Sequence, residues 1–172
     1  MHKLEDAGAE CIVIPCNTAH YWFKELKDAC HIDILSIIDT TVDEVRVCGK
    51  TRIGLLATDA TLYMGLYQKG IESLGFNYIT PDADGQKNVM KSIYSLKAGN
   101  VTHAQKLMEE QAENLFSRGA EILILGCTEI PIILSQAVKD QPLRYIDSTA
   151  SLVRAGIKWY ENRIGKDQHL TQ

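Results

Sequence analysis

No stretch of this chain approaches the roughly 20 consecutive apolar residues that cross a bilayer. The opening residues, Met1–Glu10, lack the apolar core of a signal peptide. Membrane insertion and secretion are therefore not expected. Basic runs are missing too, and 18 Lys plus Arg against 22 Asp plus Glu leave a formal net charge of −4. A mildly acidic chain of this kind is not expected to bind nucleic acid, whose backbone needs a basic footprint. There is no CxxC pair, and the histidines at 2, 20, 31, 103 and 169 do not fall with cysteine at zinc-site spacing. No metal is expected on that ground. The five cysteines, Cys11, Cys16, Cys30, Cys48 and Cys127, are odd in number. With no signal peptide, that fits free thiols in a reducing cytoplasm. Low complexity is absent: 45% apolar and 23% charged residues describe an ordinary globular chain. At roughly 150 residues per domain, the length allows one medium domain or two small ones.

Short runs rich in Ile, Val and Leu predict six strands, at 11–15, 33–37, 52–58, 77–80, 121–125 and 143–146. Several lack polar alternation, as strands covered on both faces do. Helical spacing predicts helices at 18–29, 40–47, 61–74, 86–97, 102–118, 129–137 and 148–163. In the 102–118 segment, Thr102 and Gln105 form a capping-box pattern and Gly119 is the expected stop. Strand and helix alternate throughout, so the class is α/β with mostly parallel sheets. The polar residues 165–172 read as a frayed tail.

The chain also repeats itself. Residues 8–16 read Gly-Ala-Glu-Cys-Ile-Val-Ile-Pro-Cys, and residues 119–127 read Gly-Ala-Glu-Ile-Leu-Ile-Leu-Gly-Cys, an ungapped match at an offset of 111. Downstream, Ile38-Asp39-Thr40-Thr41 resembles Ile146-Asp147-Ser148-Thr149, with Cys16 to Asp39 spanning 23 positions and Cys127 to Asp147 spanning 20. Each unit reads as helix end, buried strand, Cys at the strand's carboxyl end, then helix. Open α/β sheets bind ligands at that place. Two such units predict two domains facing one another across a cleft. Residues 50–118 precede the second unit and only 1–7 precede the first. If the halves are equivalent, about two βα units have no counterpart at the front. The expected division is therefore a partial first α/β domain, 1–49 with 148–172, and a second α/β domain, 50–147.

Cys16-Asn17-Thr18 and Cys127-Thr128-Glu129 each fall at a strand-to-helix turn. Unpaired amides and the partial positive charge at a helix start favour thiolate and can hold a carboxylate. Two thiols flanking a small substrate suit proton exchange at carbon, in which one removes a Cα proton while the other delivers a proton to the opposite face. Cys11, Cys30 and Cys48 read instead as small apolar packing residues. His20 can assist proton handling or pack within its helix. Glu129 can orient Cys127, raise its pKa, or simply favour a first helical turn. Asp39 and Asp147 read as helix caps. Thr58 and Thr61 can cap the next helix and touch substrate. Tyr21, Trp22 and Phe23 read as core or interface aromatics.

Pro15-Cys16-Asn17-Thr18-Ala19-His20 and Leu125-Gly126-Cys127-Thr128-Glu129-Ile130-Pro131 resemble the paired signatures of the aspartate/glutamate racemase superfamily. The segment Leu55-Leu56-Ala57-Thr58-Asp59-Ala60-Thr61 is similar to that family's strand-loop segment in its second domain. The resemblance implies two pseudo-symmetric Rossmann-like domains, the first incomplete here, and a cofactor-independent amino-acid racemase acting on aspartate or glutamate. It implies Cys16 and Cys127 as the acid/base pair, and Asn17, Thr18, Thr58 and Thr128 as residues lining the substrate. A family Lys falls near the start of the 86–97 helix, leaving Lys87, Lys91 and Lys97 as candidates, with Lys87 nearest. The family also implies a homodimer. The first-domain strand ending in a Gly-Gly-Met type loop, and that domain's polar substrate-binding residue, have no counterpart in this sequence. Two alternatives accompany the racemase reading. One is a related reaction: hydantoin racemisation, maleate isomerisation or arylmalonate decarboxylation. The other is an inactive amino-acid-binding remnant.

Overall fold

The computed structural model describes residues 1–169. Among the described residues, six parallel strands form two sheets. β1 (Cys11–Val13) pairs with β2 (Asp33–Leu35). β3 (Arg52–Ala57), β4 (Asn77–Ile79), β5 (Ile122–Gly126) and β6 (Tyr145–Asp147) form the second sheet, in the order β4-β3-β5-β6. The mostly parallel α/β class read from the sequence is thus the observed one. No helix among the described residues is long and apolar enough to cross a membrane.

The four-stranded sheet is covered on both faces because β5 is aliphatic at every inner position. Successive side chains point to opposite faces. Leu123 and Leu125 join Leu56 in one core with residues of α6 (Ala83–Lys97), α7 (Val101–Ser117) and α8 (Ile130–Ile133). Ile122 and Ile124 join Ile53, Leu55 and Ile146 in the other. That second core is closed by α3 (Ile37–Val47), through Ile37, Ile38, Val42 and Val45, and by α5 (Gln68–Ser73), through Ile71. The long α10 (Ser148–His169) adds Leu152 and packs along α3. Arg154 of α10 grips the Glu44 carboxylate with two hydrogen bonds, both 2.7 Å. Farther along, the Trp159 indole donates to Asp33 of β2 at 2.6 Å. One helix therefore spans both sheets.

The internal repeat is present in the backbone itself. Gly8 follows α1 (His2–Asp6) with φ +86°, and Gly119 follows α7 with φ +98°, conformations that favour glycine. Gly8 N donates to Glu5 O and Ala9 N to Leu4 O; Gly119 N donates to Phe116 O and Ala120 N to Leu115 O. Both are the same Schellman closure, shifted by the same 111 positions. Strand register repeats too: Ile12 pairs with Ile34, and Leu123 with Tyr145.

The downstream match needs correction. Asp39 is not a cap; it lies within the first turn of α3, and its backbone N–H is capped by Ser36 Oγ at 3.0 Å. Asp147 does cap α10, accepting from Thr149 N at 2.8 Å and Ala150 N at 3.2 Å. The true equivalent of Asp147 is Ser36, so the offset runs on without a gap. The shared Ile-Asp letters conceal this.

Several helix boundaries also differ. The cap of α7 is Asn100, which accepts from His103 N, rather than Thr102. The 18–29 helix is a 3-10 turn, Thr18–Trp22, followed by α2 (Phe23–Asp28). The 61–74 helix is split into α4 (Asp59–Tyr63) and α5 by a turn over residues 64–67. The 129–137 helix is split into α8 and α9 (Ser135–Asp140). The α10 helix runs on through residues 165–169, and the rest of the expected tail lies outside the described residues.

Candidate active site

Cys16 and Cys127 occupy equivalent places after β1 and β5, yet their surroundings differ. Cys16 is exposed, and its backbone N–H turns back onto Ile14 O at 2.8 Å. Cys127 is 8% exposed, at the carboxyl end of the central strand. Its neighbour Gly126 cannot carry a side chain without crowding: a Cβ there meets Tyr67 Cε2 at 3.0 Å and Ala57 Cβ at 3.1 Å. Pro15 takes that place in the first unit.

The Cys127 thiol donates to Glu129 Oε2 at 2.9 Å, and the Thr128 hydroxyl donates to the same oxygen at 3.1 Å. Lys97 Nζ reaches the other oxygen, Oε1, at 3.0 Å. Burial first, then the hydrogen bond and negative charge of Glu129, push the Cys127 pKa up to about 12. The expectation that a helix start would lower this thiol's pKa is overturned: α8 has only four residues, and desolvation beside a carboxylate outweighs it. Burial alone would raise Glu129. The hydrogen bonds from Cys127, Lys97 and Thr128 oppose that and hold its carboxyl at about 2.

Beyond Cys16, the fold gathers three hydroxyls. Thr18 Oγ1 lies 3.0 Å from Thr58 Oγ1 and 2.9 Å from Thr61 Oγ1. Thr58 also caps α4, accepting from Thr61 N at 3.2 Å. Asn17 is buried, and both ends of its amide are taken: Oδ1 accepts from the Tyr67 hydroxyl, and Nδ2 donates to Ser148 Oγ at 3.2 Å. Ser148 passes the link on to Leu125 O at 2.8 Å. The first signature is thereby tied to the strand that carries the second. His20 packs and caps. Its Nε2 accepts from Ile37 N at 3.1 Å, which makes Nδ1 the donor to Cys16 O at 2.8 Å. Burial lowers its pKa, in keeping with a neutral ring.

Of the predicted lining residues, Thr18 meets Thr58, and Thr128 sits beside Cys127. Lys87 is exposed and paired with Asp84 at 2.7 Å. The lysine that reaches a cysteine motif is Lys97, at the far end of α6. Tyr67 and Ser148 carry no sequence signal, because the contacts that matter are made across sheets. An open cavity of about 740 Å³ is lined by Pro15 from the first motif, by Thr128, Pro131 and Ile132 from the second, and by Asp147 and Thr149. Another hollow, of about 560 Å³, opens at the strands' amino ends beside Glu121 and Tyr145 and holds no predicted site residue.

Fold and site together define an α/β protein with repeat-related cysteines at the carboxyl ends of two parallel strands. The chain belongs to the Asp/Glu/Hydantoin racemase family, whose match covers residues 1–156. It is 31% identical over 159 residues to the broad specificity amino-acid racemase RacX of Bacillus subtilis, covering 92% of this chain and 68% of that protein. It is 40% identical over 139 residues to an uncharacterized protein in the pnlA 3′ region of Pectobacterium carotovorum, covering 81% of this chain and 93% of that one. Among solved structures, Picrophilus torridus aspartate racemase matches with a TM-score of 0.77 and 32% identity, over 90% of this chain and 65% of that one. The chain thus spans about two thirds of the two named racemases.

Proposed function

We propose that this chain is a cofactor-independent racemase of an acidic amino acid, with Cys16 and Cys127 exchanging a Cα proton on opposite faces of the substrate. The observation that carries this reading is the placement of two cysteines at ungapped repeat-equivalent strand ends, with a cavity lined from both of their motifs. Relatives named as amino-acid and aspartate racemases support it.

The two thiols sit in different surroundings, Cys16 exposed and Cys127 buried. Cys127, held protonated by burial and Glu129, is poised as the acid. Cys16, open to solvent, is the base that takes the Cα proton. In the reverse direction the roles exchange: Cys127 takes the Cα proton and Cys16 supplies one. The hydroxyls of Thr18, Thr58 and Thr128 hold the substrate, with Lys97 meeting a carboxylate. Asn17 serves by joining the two signatures. Chiral chromatography of L-aspartate and L-glutamate incubated with the protein tests this. The D-isomer should form with wild type and not with Cys127→Ser. Equal turnover by that variant overturns the two-cysteine assignment.

A further inference from the structure

We propose that His2, Glu5 and His31 form a site for one divalent transition-metal ion of the zinc class. Among the described residues, this is the one place where three His, Cys, Asp or Glu donors converge: one atom from each lies within 4.8 Å of the others. The racemase chemistry makes no use of these three residues.

The geometry arises from two elements. His2 and Glu5 stand one helical turn apart on α1, which puts them on the same face. His2 Nδ1 lies 3.1 Å from Glu5 Oε2. The loop between α2 and β2 brings His31 Nδ1 to 3.6 Å from Glu5 Oε1. An ion with bonds of about 2.1 Å to tetrahedrally placed N and O ligands needs those ligands about 3.4 Å apart. The two measured spacings fall on either side of that value, and each is to a different oxygen of Glu5, so the carboxylate would span the ion with both oxygens.

The carboxylate is also held in place through Oε1. Glu5 Oε1 accepts from His31 N, from Ile32 N at 3.3 Å and from the Cys30 thiol at 3.3 Å. Hydrogen bonds of this kind orient a metal ligand before the ion arrives. The imidazoles are 68% and 89% exposed, so the remaining coordination positions open to water. Two imidazole nitrogens with one carboxylate suit zinc, nickel or cobalt; magnesium and calcium prefer all-oxygen sets. No sequence motif marks the site, because His31 meets the helix only through the fold. A bound ion would fasten α1 to the entry of β2, and so brace the strand pair that leads to Cys16.

Titration of metal-free protein with zinc chloride, followed by calorimetry, tests the assignment. One ion per chain is expected. His2→Gln and His31→Gln should each weaken it by roughly tenfold or more, and Cys16→Ser should leave it unchanged. Both histidines are exposed, so these variants keep the fold. Absence of binding overturns the proposal. So does an affinity unchanged in the His2→Gln/His31→Gln double variant, or lost in Cys16→Ser, which would assign the zinc to thiols.

Discussion

Cys127 donates its thiol proton to Glu129 across 2.9 Å, while Lys97 holds the opposite carboxylate oxygen at 3.0 Å. This arrangement makes Glu129 a control on the thiol. Glu129→Gln removes a negative charge that disfavours thiolate, so Cys127 should ionise at lower pH. Thiolate ultraviolet absorbance, followed against pH in a Cys16→Ser background, reads this directly. An ionisation that stays put or moves up contradicts it. The lost ion pair is half-exposed at Lys97 and should cost no more than about 1 kcal/mol of stability.

Acid should unfold the protein through its depressed carboxyls. Glu129 and Glu5 are both held at about 2, against an ordinary 4.5. The native state then binds fewer protons than the unfolded chain between those values. Their stabilisation is present above about 4.5 and is lost as pH falls towards 2. Urea midpoints measured across that window should fall for wild type and fall less for Glu129→Gln. Equal slopes would contradict the assignment.

Asn17 should matter more to stability than an ordinary active-site polar residue. Asn17→Ala removes the acceptor of the Tyr67 hydroxyl in a buried site, at a cost of about 1–3 kcal/mol. Tyr67→Phe strands Asn17 Oδ1 in turn. A double-mutant cycle by urea unfolding should show the two coupled, because they share one bond. Simple additivity would contradict this.

Gly126→Ala should destabilise by about 1–3 kcal/mol through overpacking. The new methyl meets Tyr67 and Ala57, and Leu56 O at 3.3 Å. Thermal unfolding measures it; an unchanged midpoint would show that the Tyr67 ring gives way freely.

How much of this is legible in the sequence depends on whether the cause is local. The aliphatic strands can be read because both faces of the sheet are buried, which leaves runs such as Ile122–Leu125 with no polar alternation. The repeat can be read because Gly8 and Gly119 close their helices by the same backbone bonds. Spacing favours Lys87 over Lys97 because it says nothing about which end of α6 passes Glu129. Ser36 hides behind Asp39 because letter identity is blind to capping geometry. The lock of Tyr67, Asn17 and Ser148 joins residues 50 and 131 positions apart, and nothing local encodes it. The breaks between α4 and α5, and between α8 and α9, escape a periodicity reading because apolar residues recur at helical spacing on both sides of each turn.

The most direct test of the two-thiol proposal is deuterium entry at Cα in heavy water, followed by proton NMR for L- and D-aspartate and for L- and D-glutamate. Wild type should exchange the Cα proton of both enantiomers of its substrate. Cys16→Ala and Cys127→Ala should each abolish interconversion, and the double variant should show no exchange. Exchange that persists in the double variant, or no exchange by wild type with any of the four amino acids, would contradict racemisation by Cys16 and Cys127.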